Sequence, residues 1–306
     1  MKLGLWLPHR PHLRPVSADE PGIFLTPVAR AITSALKRRF KVHENLDFRR
    51  ASVVNEKVLV GSFDLSSLDG FLWFSHIEKG SDGHEIQVLE ALERAGVAVI
   101  NSPGGLRIGL DKFKTSSYLK SKGIPVPEFA LIPSDDLERA GDLLDVWGEL
   151  LLKPRYGAFG VGIVRVSDRQ ALLDVLDYVS AEDYYLERFY ENDLSEWCGI
   201  NVIDGRVMHG YGKKPSKISG WKVHDRGKRG GGLVLREPSM QRTKIAEKTA
   251  KATGLSFFGI DIIRSIEGKD YVIDLNTFPG LYPDILKKAR TDIGKAFSRM
   301  VSDRLN

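Results

Sequence analysis

The chain has 306 residues, 42% hydrophobic and 28% charged, the proportions of an ordinary globular protein with room for two or three subdomains. Its one cysteine, Cys198, excludes a disulfide framework and any cysteine-based zinc cluster, and fits a reducing cytoplasm. A net charge of +5 suits anionic small molecules as well as nucleic acid, so the distribution of charge must separate them.

Taken in order, "KLGLWL" reads as a buried first strand, and the N-terminal apolar run is too short for a signal peptide. No later apolar run approaches the roughly 20 residues needed to span a bilayer, so no membrane partner is expected. "TPVARAITSALKRRF" predicts a helix with Thr26 as N-cap and Pro27 at its first position. Strand "LDGFLWFSHI", helix "HEIQVLEALERAG" and strand "VAVINSP" follow, and this alternation indicates a parallel α/β sheet over residues 1–105. Asp111 caps the next helix and Gly123 ends it. "ELLLKPRYGAFGVGIVRV" then reads as strand, glycine loop, strand, and "DYYLERFY" as another strand. "INVIDGRVMHGYG" predicts a hairpin turning at Asp204-Gly205, and "SMQRTKIAEKTAKATG" a helix from Ser239 to Gly254.

The informative stretch is "FFGIDIIRSIEGKDYVIDLNTFPG". Two apolar strands flank Glu267-Gly268, and a two-residue turn there sets Asp261 opposite Asp274. Asp274 and Asn276, two apart on a strand, share a face. Facing carboxylates repel, so this oxygen-only cluster is what a hard cation such as magnesium requires, with waters and substrate phosphates completing its shell. The plain alternative is that Asp274 and Asn276 only begin the turn before Pro279-Gly280. In "KPRYGAFGVG", Lys153 precedes Gly157, Gly160 and Gly162, a loop able to close backbone N–H groups over phosphates or a hairpin with a flexible tip. Lys112 opens a helix behind Asp111, either reaching a phosphate or solvated. Glu187 lies in an aromatic strand, facing an adenine edge or pairing with Arg188.

From Arg206 to Gly232 the chain carries Arg206, Lys213, Lys214, Lys217, Lys222, Arg226, Lys228 and Arg229 against Asp225 alone, a funnel for anions. Only Tyr211 and Trp221 interleave these cations, too few aromatics for a base-stacking surface, which disfavours nucleic acid. The histidines show no metal spacing, and Cys198 reads as a packed small residue.

These segments, from "NSPGGLRIGLDKFKTSSYLKSKGIPVP" through "LLKPRYGAFGVGIV", "YLERFY" and "RGKRGGG" to "GIDII…YVIDLNTFPG", resemble in order the ATP-grasp fold of RimK-type glutamate ligases and glutathione synthetases. The resemblance implies an α/β (α+β) fold with an N-terminal parallel-sheet domain (1–105), a central subdomain with the glycine loop (106–185) and a C-terminal subdomain with the metal site (186–306). It further implies ATP with magnesium, or manganese in its place, in a cytoplasmic carboxylate–amine ligase. An acyl phosphate would be the intermediate and an anionic small molecule or peptide the acceptor; a homo-oligomer would not be unusual for such a family. Lys112, Lys153, Gly157, Gly160 and Gly162 would meet phosphates, Glu187 and Arg188 adenine, Glu196 the ribose, and Asp261, Asp274 and Asn276 the metal. Lys213, Arg226 and Arg229 would face the transferred phosphate or the acceptor. Two departures stand out: Asp274 replaces the usual Glu, and "EWC" replaces D-x-R, so that Cys198 stands for an expected arginine. "GLWLPHR", "KKPSK" and the Asp-x-Asn with Phe-Pro-Gly also resemble inositol polyphosphate kinases of the same superfamily. That resemblance implies hydroxyl phosphorylation and a role for Arg10; a non-catalytic ATP-binding protein is the third reading.

Overall fold

The computed structural model describes residues 1–7, 22–75, 77, 82–157, 160–213, 220–222 and 232–306, with backbone only for 22–26. The first layer is a parallel sheet. Strand β1 (Lys2–Trp6) is buried from Leu3 onward, and helix α1 (Gly22–Lys37) follows it. Next come β2 (Lys41–His43), a small antiparallel meander of β3 (Ser52–Val54), β4 (Lys57–Val60) and β5 (Phe63–Asp64), then β6 (Gly70–Trp73), helix α2 (His84–Arg94) and β7 (Ala98–Ile100). The order β2-β1-β6-β7 is parallel throughout. Its central strand β6 is buried at all four positions, as expected for a sheet covered on both faces.

Helix α1 begins at Gly22, so Pro27 stands inside it rather than opening it, and Thr26 is not the cap. The proline removes a single early i→i−4 bond, and Val28, Ile32 and Leu36, spaced by four and all buried, carry the helix onward.

The second layer holds α3 (Pro103–Gly109), α4 (Lys112–Ser121), β8 (Phe129–Pro133), α5 (Leu137–Trp147), β9 (Leu150–Lys153), β10 (Val164–Val166), α6 (Arg169–Val179) and β11 (Asp183–Arg188). Its antiparallel sheet runs β10-β9-β11-β8, with its own core of Leu144, Leu150, Leu172, Leu176 and Leu186.

The third layer contains β12 (Cys198–Ile203), β13 (Arg206–Lys213), β14 (Leu233–Leu235), α7 (Met240–Thr253), β15 (Phe257–Arg264), β16 (Asp270–Asn276), α8 (Pro283–Lys288) and α9 (Ile293–Leu305). Its antiparallel order is β14-β13-β12-β15-β16. The β12–β13 turn has φ 54° at Asp204 and 71° at Gly205, the two positive values that a tight primed turn demands. Ser239 caps α7 by accepting from the Arg242 N–H, and Gly254 ends it at φ 68°.

Two contacts lock this sheet to the first. The fully buried Asn101 accepts from the N–H groups of Ser256 (2.7 Å) and Phe257 (3.0 Å) and donates to the Phe257 carbonyl at 2.6 Å. Helix α9 packs on α1 so closely that a Cβ at Gly294 would lie 2.7 Å from the Ala31 carbonyl oxygen. The strand that bears Asp261 is thereby anchored at its start. Among the described residues no helix is long and apolar enough to cross a membrane.

Candidate active site

Asp261 on β15 faces Asp274 on β16, and Gly259 faces Asn276. The connection between the strands is not the two-residue turn that the sequence suggests. Ser265 donates its N–H to the Lys269 carbonyl at 2.8 Å, which leaves three residues, Ile266 to Gly268, in the loop. That shift of one is undone by a bulge, since Ile262 pairs with Val272 and Asp261 with Asp274, making Ile273 the extra residue. The Ile273 carbonyl accepts from Lys153 Nζ at 3.5 Å.

Helix α4 delivers Lys112 to this pair. Asp111 caps the helix through the N–H groups of Phe113 and Lys114. Its other oxygen takes Arg155 at 2.6 Å, while Arg155 also reaches Asp183 at 2.5 Å. The Lys112 N–H donates to the Arg155 carbonyl, so the base of the glycine loop and the start of α4 move as one piece. Lys112 Nζ then donates to Asp274 Oδ1 at 2.8 Å and to the Gly157 carbonyl at 3.3 Å. Burial opposes charge on Asp274. The Lys112 ammonium, with Lys153 and Lys213 behind it, outweighs that burial and holds the carboxyl below the usual carboxylate range. Gly157, Gly160 and Gly162 have φ of 139°, 68° and 75°, which side-chain-bearing residues rarely adopt.

Lys153 and Glu187 form a buried ion pair between neighbouring strands. The other Glu187 oxygen accepts from the Tyr185 hydroxyl at 2.6 Å, and that hydroxyl lies 2.8 Å from Ser116 Oγ. Burial, then the Glu187 charge, pushes the Tyr185 phenol well up. The expected alternative of a Glu187–Arg188 pair is not formed: successive strand residues face opposite sides, and Arg188 pairs with Glu128 at 2.7 Å. Lys112, Ser116, Leu119, Val126, Glu187 and Asp274 line one cleft.

Lys213 ends β13 with its ammonium 4.8 Å from the Trp197 ring centroid, close enough for its charge to act on Asp274. Glu196 is not among the residues lining this cleft; its carboxylate lies 3.6 Å from Arg236 and 3.8 Å from Arg242. Cys198 pairs with Ile262 in the core, and burial pushes its thiol up to about 11. The residue beside Asp261 on β12 is Gly199, so position 198, where the family resemblance leads one to expect an arginine, does not share the face of the carboxylate pair. A Cβ at Gly199 would meet the Tyr211 ring at 2.5 Å and its hydroxyl at 2.8 Å; Tyr211 fills that place. Arg10, Arg226 and Arg229 lie outside the described residues, as do Lys214, Lys217 and Lys228. Between them Trp221 packs edge-on to Phe189, and Lys222 donates to the Ile163 carbonyl at 3.0 Å, placing the middle of the basic segment against the glycine loop.

The sequence reading missed Arg155, Tyr185 and Ser116. Tyr185 carried a usable signal: two residues before Glu187 on one strand, it had to share its face.

The RimK-like ATP-grasp domain profile matches residues 109–301. The chain belongs to the RimK-like ATP-grasp family. This RimK-like chain is 28% identical over 264 residues to the tetrahydromethanopterin:alpha-L-glutamate ligase of Methanosarcina acetivorans, covering 79% of itself and 80% of that protein. It is 29% identical over 227 residues to probable alpha-L-glutamate ligase 1 of Shewanella denitrificans, 72% of itself and 73% of the relative. Among solved structures, D-cycloserine synthetase DcsG has a TM-score of 0.72 at 16% identity, with 100% of both chains covered. The ATP-grasp ligase PsnB, complexed with minimal precursor, Mg and ADP, has 0.66 at 18%, over 100% of this chain and 98% of its own. At such identities these two show the fold, which is the expected ATP-grasp architecture, here a four-stranded parallel sheet with antiparallel sheets of four and five strands and the small three-stranded meander.

Among the described residues no group of three or more His, Cys, Asp or Glu side chains is placed to hold a metal. A cation here would therefore have Asp261 and Asp274 as its charged ligands and Asn276 as a neutral one. An all-oxygen set with two facing carboxylates fits magnesium.

Proposed function

We propose that this protein is an ATP- and magnesium-dependent carboxylate–amine ligase that works through an acyl phosphate, with an anionic small molecule or peptide as one substrate. The observation that carries the reading is the junction of Lys112, Asp274 and Gly157: one ammonium joins a facing carboxylate pair to a loop of left-handed glycines. Such a junction suits a triphosphate with its cation and little else. In the proposal Leu119 and Val126 flank the base, Lys153 and Lys112 hold the phosphates, and the glycine loop closes over them. Asp261, Asp274 and Asn276 hold magnesium, which when bound neutralises charge on the β- and γ-phosphates.

The reaction needs positioning and charge more than covalent help. A substrate carboxylate oxygen attacks the γ-phosphorus and ADP leaves. The amine then attacks the acyl carbon, phosphate leaves, and the ammonium proton is lost as the amide forms. In the proposal Lys213, whose ammonium lies over Trp197, stabilises the transferred group. The glutamate ligases among its relatives support glutamate or a glutamyl acceptor as the first substrates to try.

The test uses γ-labelled ATP with magnesium and panels of carboxylates and amines. Label released as inorganic phosphate only when both a carboxylate and an amine are present supports the ligase. Label held in a stable organic product would make the enzyme a hydroxyl kinase, and bound but unturned ATP would make it a binding protein.

A further inference from the structure

Strand β16 is the edge of its sheet, and its last residue is Asn276. The turn beyond it is held by a side chain from two strands away. Asn201 on β12, 1% exposed, donates from Nδ2 to the Gly280 carbonyl at 2.9 Å, and the same nitrogen lies 3.1 Å from His209 Nε2. A carbonyl only accepts, so the amide nitrogen must face Gly280, and the orientation of the carboxamide is fixed. Burial pushes the His209 imidazole down to about 4, so at neutral pH its Nε2 can accept the second amide hydrogen.

Both hydrogens of Asn201 are thus committed. The strand register places Asn201 opposite Gly259, and Gly259 opposite Asn276. A Cβ at Gly259 would lie 3.2 Å from Asn201 Oδ1, 3.2 Å from Pro279 Cβ and 3.6 Å from Asn276 Cβ. Three side chains converge over one glycine, and a Cβ there would require its neighbours to give by a few tenths of an ångström.

We propose that Asn201, held by His209, is a positioning residue for the metal site: it pins Gly280 and thereby stops the end of β16 from fraying away from Asp261. The inference rests on reading Asp261, Asp274 and Asn276 as the metal ligands. Asn201 touches no reacting atom. It acts one step further out than a direct partner of a ligand, through the turn that follows Asn276.

The test measures Mn2+ binding by electron paramagnetic resonance with ADP present, and ADP binding without metal by calorimetry. Asn201→Ala should weaken Mn2+ by about tenfold or more, the usual effect of losing an outer partner. Metal-free ADP affinity should stay at the wild-type value, and added Mg2+ should restore turnover, with KM for Mg2+ raised and kcat kept. His209→Leu should fall between the two. Unchanged Mn2+ affinity in Asn201→Ala overturns the proposal, as does an equal loss of metal-free ADP binding, which would mean general damage. If Asn201→Ala does not fold, His209→Leu decides: a partial Mn2+ loss supports the proposal and wild-type affinity overturns it. Wild-type protein that takes up no Mn2+ beside ADP refutes the metal assignment itself, a result distinct from the others.

Discussion

Lys112 is the residue whose loss should move two affinities in opposite directions. Its ammonium sits 2.8 Å from Asp274 Oδ1 and 3.3 Å from the Gly157 carbonyl, and the two paired side chains are 17% and 25% exposed. In the free protein the lysine therefore occupies the carboxylate that a metal needs. Such a partly exposed pair is screened, so its net strength is about 1 kcal/mol. Lys112→Met keeps the side chain's stem in the cleft but frees Asp274, and should tighten binding of Mn2+ alone roughly fivefold. On the proposed reading the same change also removes a charged hydrogen bond to nucleotide phosphate, about 1.5–3 kcal/mol, so metal-free ADP should bind roughly ten- to a hundredfold more weakly. Paramagnetic titration reads the first quantity and calorimetry in chelator the second. The exchange of partners is refuted if Mn2+ alone binds Lys112→Met no better than wild type, for then the ammonium does not compete with the cation.

Lys153→Met alone leaves the 1% exposed Glu187 without its partner and should cost about 3–5 kcal/mol in urea melts. Adding Glu187→Gln should recover most of that stability without recovering nucleotide affinity; recovery of both would remove Lys153 from the phosphate site. His209 titrates at about 4 when folded against 6.5 in its ordinary state, so the stability it gives is complete above 6.5 and lost as the pH falls toward 4. The loss is about 3 kcal/mol, and a His209→Leu variant with the same pH slope in urea melts would contradict it. Asp274→Asn should abolish turnover and keep the fold and most nucleotide binding; a wild-type rate at ordinary magnesium would sink the metal assignment.

Much of the architecture was legible because its signals are local. Alternation of apolar strands with capped helices gave the parallel layer, and Asp204-Gly205 gave a turn that only a primed geometry satisfies. Pro27 misled because the proline rule describes the first helical turn, whereas burial of Val28, Ile32 and Leu36 governs the whole of α1. The Asp261–Asp274 pairing was read correctly through two displacements that cancel. A three-residue loop moves the register by one, and the bulge at Ile273 moves it back. No local preference announces that bulge; its carbonyl faces Lys153 from another sheet. The ion pairs of Asp111 with Arg155 and of Glu187 with Lys153 were hidden as well, because each joins segments of the second layer that are distant in sequence and meet only when it folds.

Strand periodicity also shows what the arginine-to-cysteine departure at position 198 means for the site. Along β12, residues 198 and 200 turn into the core with Ile262 and Ile260, while Gly199 and Asn201 stand with Asp261 and Gly259. One position therefore separates a residue on the face of the carboxylates from one on the core face. Cys198→Arg would consequently not return a cation to the site. It would bury a guanidinium close to those of Arg242 and Arg236, whose charges already reach Cys198, at a cost of several kcal/mol. A Cys198→Arg protein that stayed as stable as wild type and bound phosphate ligands more tightly would show that the strand faces the other way. The place that an arginine would need is above Gly199, and Tyr211 already fills it.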